Sequence, residues 1–309
     1  MKRRGLTIID LLVTLGVMAL LLAALVAARH RLAQADAITD CRANLAQIYR
    51  ALSAYAATNA GGFPRTRVDP AAPLSAYTAP DASNPFAPDG PSPNDVTAAA
   101  FLLAREYGLA AATFVCPSAL RNGLGEKDTF TPDTVRARSN FRARIYYNYS
   151  LIYVYAEPFS GPGAFDRAAA AKLAIAADTN PGEETANPAT GRTNIQARLA
   201  NSPNHQRDGQ NVLLADGSAR FVPTPYHISG DASVYASAAT FPAAASASDA
   251  VLVPVWGDGP QLIPRAVKLR RWVFAGAAVF AALLIGGAVA QSLWRGRDER
   301  DKVPTTAAL

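Results

Sequence analysis

From Met1 to Gly61 the chain has few structural choices. Three basic residues, Lys2, Arg3 and Arg4, lead into Gly5, and an almost unbroken apolar run follows, Leu6 to Ile9 and Leu11 to Ala28, interrupted by one carboxylate, Asp10. A run longer than about 20 apolar residues is enough to cross a bilayer as a helix. The basic triplet keeps the amino terminus on the cytoplasmic side, so the bulk of the chain is expected outside it. No small-residue secretory cleavage site follows, and residues 6–29 are therefore expected to stay in place as an anchor. An ionised Asp in such a helix is unfavourable by roughly 2.5–3.5 kcal/mol near the bilayer centre and by less near its edge, so Asp10 demands a partner.

The stretch Lys2-Arg3-Arg4-Gly5-Leu6-Thr7-Ile8-Ile9-Asp10-Leu11-Leu12 resembles the processing site of type IV pilins and type II secretion pseudopilins. The resemblance implies that residues 1–5 are a leader removed by a prepilin peptidase, which cuts after Gly5 and methylates the new amino terminus, Leu6. It also supplies a partner for Asp10, the terminal amine of a neighbouring subunit. The family usually carries Phe and Glu where this chain has Leu6 and Asp10.

Beyond Arg29, the residues Ile38, Cys41, Leu45, Ile48, Leu52 and Tyr55 recur at steps of three or four. One apolar stripe on an otherwise polar helix is the pattern of a segment lying on a sheet, so residues 30–61 are expected to continue the helix as its amphipathic half. Asn59, Gly61, Gly62 and Pro64 end it. Residues 62–93 carry a proline every few positions and read as an exposed, partly extended loop. Residues 94–223 form the expected globular α+β domain. A short helix is predicted over Asn94 to Leu109, strands over Arg142 to Tyr155 and Lys172 to Asp178, and turns over Thr179 to Asn201. The tyrosines of the first strand region read as core and rim residues.

With half of its 309 residues apolar, the chain has material for one moderate core as well as membrane segments. Its net charge of +6 comes from basic residues that are scattered or flank the apolar runs, which reads as topology and not as a nucleic-acid footprint. Two cysteines are too few for a zinc site, but they suffice for one disulfide in an exported domain. Cys41 and Cys116 are the candidate pair. Closing that loop contributes roughly 4 kcal/mol in the chain-entropy model. Two buried free thiols are the alternative.

From Asn201 to Val222 a loop containing Asn204, His205, Asp208 and Gly209 leads into a strand, an Asp216-Gly217 turn of the two-residue hairpin kind, and a returning strand. This stretch resembles the His-to-Asp-Gly signature of pseudopilin-like proteins typical of planctomycetes. Ala176 to Gly182 and Phe114 to Ser118 resemble that family's other blocks. His205, Asp208, Asp216 and Asp178 match no EF-hand or zincin spacing, so the expectation is a hydrogen-bonded loop, with no metal and no cofactor. No serine elbow, paired-carboxylate motif or phosphate loop is present, and an enzyme is not expected.

Residues 224–264 read as an irregular linker. Trp272 to Trp294 is a second apolar run of spanning length, with tryptophans at both edges and Lys268, Arg270, Arg271, Arg295 and Arg297 flanking it. Aromatic belts with basic flanks mark a transmembrane helix, which returns the polar tail 295–309 to the cytoplasm. Drawing such a helix into water exposes apolar surface at roughly 0.8 kcal/mol per CH₂, which disfavours extraction into a long filament. The expected whole is pilin-like: a long helix on a small antiparallel sheet, plus a carboxy-terminal membrane helix. Its expected setting is the inner membrane, with the globular domain outside the cytoplasm. The expected partners are prepilin peptidase, other pilin-like subunits or an assembly platform, and lipid, with no nucleic acid. The alternative is a doubly anchored exported structural or binding protein with no secretion role.

Overall fold

A computed structural model describes residues 7–182, 200–226, 233–235 and 249–254. The chain divides into two compact units, Met1–Ala33 with Leu262–Leu309 and Gln34–Gln261. Helix α1, Ile8–Thr58, runs for 51 residues and contributes to both. The predicted leader 1–5, Leu6 and the apolar run 272–294 lie outside the described residues.

In the first unit, α1 has the length and composition of a membrane-crossing helix, and none of its most apolar stretch is buried. Leu20, Leu21 and Leu22 are consecutive, so they point in three directions around the helix, yet all are more than half exposed. A helix apolar all round has no polar face to turn toward water. Its first turn closes on itself. Thr7 Oγ1 accepts from the Asp10 backbone N–H at 3.2 Å, while Asp10 Oδ2 accepts from the Thr7 N–H at 2.9 Å and from its hydroxyl at 2.8 Å. This is a reciprocal capping box, which satisfies donors that a helix start leaves open.

In the second unit, the same helix buries Ala37, Cys41, Leu45, Ile48, Ala51, Leu52 and Ala56. These positions follow the helical repeat and form one stripe that enters the core. The core's other side is a five-stranded antiparallel sheet ordered β4-β3-β2-β1-β5. Its strands are β1 Tyr149–Ile152, β2 Ala174–Asp178, β3 Gln210–Leu214, β4 Ala219–Val222 and β5 Leu252–Val253. Strands β1, β2 and β3 are buried throughout, whereas the edge strand β4 is half-exposed. The register sets Tyr149 opposite Asp178 and Ala177 opposite Val212. The molecule is thus α+β, one long helix with a small antiparallel sheet.

The sheet differs from the sequence reading in three places. Of the strand region expected over Arg142 to Tyr155 only Tyr149–Ile152 is strand, and Arg144–Tyr146 forms a 3₁₀ turn instead. Strand β5 comes from the span expected as an irregular linker. There Val251, Leu252 and Val253 are buried, and the last two pair with β1. The β3–β4 hairpin closes at Leu214, whose N–H donates to the Ser218 carbonyl at 2.8 Å. This encloses three residues, Ala215, Asp216 and Gly217, instead of two. Gly217 has φ +87°, the left-handed residue that a three-residue hairpin loop requires. A Cβ there would also lie 2.8 Å from the Tyr49 ring of α1, so the turn packs directly on the helix.

Helix α2, Val96–Tyr107, is capped by Asp95, whose side chain accepts from the N–H groups of Thr97 and Ala98. Asn94 sits outside the helix at φ +58° and holds the preceding loop, donating from Nδ2 to the carbonyls of Asp69 and Ala72. That loop is less exposed than its prolines suggest. Its backbone lacks a ladder, so side chains bind it. Asp95 Oδ2 accepts from Thr78 N and Oγ1, Asn140 Nδ2 donates to the Thr78 carbonyl, and Thr66 bonds to the Tyr155 hydroxyl. Phe101 of α2 packs against Phe130 and Phe141, and Phe141 stacks on Tyr147 at 4.8 Å.

Candidate functional site

Four residues distant in sequence converge inside the second unit: Cys41 of α1, Cys116 at the start of helix α3 (Pro117–Arg121), Asp178 at the end of β2, and His205. All four are fully buried, and their ligand atoms lie within 4.8 Å of one another.

Local sequence explains each position. Cys41 falls on the buried stripe of α1. Cys116 precedes Pro117, which starts α3 because a helix's first residue needs no N–H partner. His205 lies in the 3₁₀ turn Pro203–His205, opened by Ser202, whose hydroxyl accepts from the Asn204 N–H. Gln206 and Arg207 then take left-handed conformations that reverse the chain toward β3. Gly209 permits the close approach of β4 there, where a Cβ would meet the Val222 carbonyl and the Phe221 ring.

Asp178 is the hub. Its Oδ1 accepts from Cys41 Sγ at 3.0 Å and from Asn204 Nδ2 at 2.9 Å. Its Oδ2 accepts from the Asn211 backbone N–H at 2.6 Å and lies 3.1 Å from His205 Nε2. Around this core, Tyr149 Oη is 3.3 Å from Cys41 Sγ, and Cys116 Sγ is 3.5 Å from His205 Nε2. Gln34 Nε2 donates to the His205 carbonyl, and the Phe221 and imidazole rings lie nearly perpendicular, with centroids 5.6 Å apart.

The charges follow from these neighbours. Burial disfavours the His205 cation, but Asp178 outweighs it and brings the imidazole up to about 10. Burial likewise opposes the Asp178 carboxylate, and His205 with the surrounding donors holds it below the ordinary range. Burial, reinforced by Cys116 and Asp178, pushes the Cys41 thiol well up. Burial also acts to raise Cys116, but contacts with Cys41 and His205 bring it down to about 7.

One atom is over-subscribed. His205 Nε2 faces Asp178 Oδ2, Cys116 Sγ and also Asn211 Nδ2 at 3.0 Å, yet a ring nitrogen holds a single proton or a single lone pair. Turning the Asn211 amide would only set its oxygen against Asp178 Oδ2, since Asn211 Nδ2 lies 3.2 Å from that oxygen. Nδ1 of the same ring meets no hydrogen-bond partner among the described residues. A Cys-His-Asp relay requires the thiol and the carboxylate on different ring nitrogens, and here both share Nε2. The four groups are also closed to a substrate. A surface cleft of about 360 Å³ is lined by Tyr55, Asn59, Gly62, Phe63, Arg65, Thr66, Val68, Gly161 and Pro162, and it holds no His, Cys, Asp or Glu.

The predicted site residues fall into three groups. Cys41, Cys116, Asn204 and His205 meet at one centre, with Asp178 between them, and the two cysteines are free thiols. Asp208 is exposed, its backbone N–H bonded to the His205 carbonyl, and Asp216 is exposed in the hairpin turn, where Oδ1 accepts from Ser218 N and Oγ. Neither acid belongs to the convergent group. Asp10 stands in α1's first turn, bonded to Thr7, while Gly5 and Leu6 lie outside the described residues. Asn211 and Tyr149 carried no site signal in the sequence, because only folding brings them to Asp178 and Cys41. No family model, curated protein or solved structure matches the chain.

Proposed function

We propose that this chain is a membrane-anchored, pseudopilin-like structural subunit of a type II secretion or type IV pilus-like system. In this reading prepilin peptidase removes residues 1–5 after Gly5 and methylates Leu6, the amino-terminal part of α1 stays in the inner membrane, and the Gln34–Gln261 unit stands outside the cytoplasm. Residues 272–294 form a second membrane helix, which retains the subunit and opposes its extraction into a long fibre. Other pilin-like subunits or an assembly platform are its partners.

The observation that carries the proposal is the change of character along α1. Its first part is apolar on every side and unburied, while from Ala37 onward one stripe is buried in the core beside an antiparallel sheet. A single helix serving two media is what an anchored subunit of this kind needs. Beside it stands the leader pattern at Lys2 to Leu12. Co-expression with a prepilin peptidase tests the proposal. The wild-type chain is expected to lose its leader and Gly5→Val to keep it; an uncut wild-type chain would oppose the reading.

A second reading draws on the capping box. Because Thr7 already bonds the Asp10 carboxylate within the chain, Asp10 has a role that needs no neighbouring amine. This favours a doubly anchored exported structural or binding protein outside any secretion machine. Asp10→Ala separates the two. The subunit reading predicts loss of association with other pilin-like chains in cross-linking, whereas the second predicts no change beyond a slightly frayed helix start.

A further inference from the structure

We propose that Cys41, Cys116, Asp178 and His205 form a buried four-coordinate site for a divalent transition metal ion of the zinc class. This goes beyond the subunit reading and does not rest on it.

Geometry is the first argument. Tetrahedral zinc with ligand bonds of about 2.0–2.3 Å sets neighbouring ligand atoms about 3.3–3.8 Å apart. Around Asp178 and His205 the separations are 3.0 Å for Cys41 Sγ to Oδ1, 3.1 Å for Nε2 to Oδ2 and 3.5 Å for Cys116 Sγ to Nε2. All four ligand atoms lie within 4.8 Å of one another, so admitting the ion opens the short pairs by a few tenths of an ångström and draws any wider pair in toward about 3.8 Å.

The hydrogen bonding is the second. Nε2 of His205 faces three polar neighbours that its one proton or one lone pair does not satisfy together. An ion at the point of convergence takes that lone pair and gives both sulfurs and the carboxylate a common partner. A disulfide would use only the two sulfurs and leave the conflict at Nε2 in place.

The surroundings are the third. Metal-bound carboxylates are oriented by further hydrogen bonds, and Asn204 Nδ2 and the Asn211 backbone N–H already hold Asp178 from both sides. Two sulfurs with one imidazole and one carboxylate exclude calcium and magnesium, which take oxygen ligands, and suit zinc. On binding, the ion displaces the protons of both thiols and any proton on Nε2. Two thiolates, a carboxylate and a neutral imidazole remain around it. The ion then ties α1, the start of α3, the end of β2 and the 203–205 turn together at one point.

Full-length protein, purified in detergent under reducing conditions without chelator, is analysed by elemental mass spectrometry. It is then stripped and reloaded with Zn²⁺, Co²⁺ or Mg²⁺. About one zinc per chain is expected, together with a higher melting temperature on adding Zn²⁺ but not Mg²⁺. The Co²⁺ form should display thiolate-to-metal charge transfer and the intense visible bands of a tetrahedral site. Cys116→Ser should weaken the charge-transfer band and lower zinc affinity at least tenfold. If that variant fails to fold, the wild-type cobalt spectrum decides. Reduced protein that takes up no zinc, or a cobalt spectrum without sulfur ligation, would overturn the site. So would a Cys41–Cys116 disulfide in metal-free protein from native membranes.

Discussion

Helix α1 carries two stretches of the same secondary structure with opposite surfaces. Between Ile8 and Leu32 most large apolar side chains are exposed, from 49% at Leu15 to 71% at Ile8, with only Ile9 and Leu12 partly covered. Between Ala37 and Ala56 the buried positions recur every three or four residues, and charged residues such as Asp40 and Arg50 stay outside. Helix propensity does not separate the two stretches. The angular spread of apolar residues does: all round in the first, and one stripe in the second. The first surface is tolerable in a bilayer, where backbone groups must be bonded within the helix, and the second on a sheet.

The contrast is sharpest in paired truncations. Leu45→Ala removes a fully buried side chain and is expected to destabilise the second unit by about 2–5 kcal/mol. Leu21→Ala, at 65% exposure, should leave that unit's denaturation midpoint within about 0.5 kcal/mol of wild type. Urea titration of both full-length variants in one detergent measures the pair. Equal effects would break the comparison.

Gly217→Ala probes how the helix meets the sheet. The added Cβ enters the Tyr49 ring at a left-handed backbone position, and a loss of about 1–3 kcal/mol is expected in the same titration. Asp95→Ala should weaken the domain by about 1–2 kcal/mol through the lost cap of α2. It also frees the loop through Thr78, so cleavage by a protease within residues 62–93 should accelerate.

The smallest effect expected is at the hairpin. Bonds from Ser218 hold the Asp216 carboxyl below its ordinary range, so its stabilisation is present above the unfolded carboxylate range and fades as pH falls through the folded value. Ser218→Ala should lower stability at neutral pH by roughly 0.5 kcal/mol or less, because Asp216 is solvent-screened. The difference from wild type should shrink in acid.

Periodicity made part of this fold legible. Cys41, Leu45, Ile48 and Leu52 were readable as the buried stripe and are buried, while Ile38 and Tyr55 lie at its rim. Turn chemistry placed the Asp216-Gly217 hairpin, although loop length depends on how Leu214 and Ser218 pair and not on the dipeptide. The linker's Val251 to Val253 gave a strand too short to stand out from three apolar residues, and only an open edge on β1 recruits it. The four-residue centre was the least legible. Its members lie at positions 41, 116, 178 and 205, and patterns of local spacing do not register ligands delivered by separate elements. Counting cysteines alone favoured a disulfide, because Asp178 and His205 join them only in the folded core.

The intact mass of the mature protein from native membranes tests the central claim most directly. The account predicts a chain that starts at Leu6, lighter by residues 1–5 and heavier by one methyl group on its amino terminus. A chain still carrying Met1 from cells with an active prepilin peptidase would contradict it.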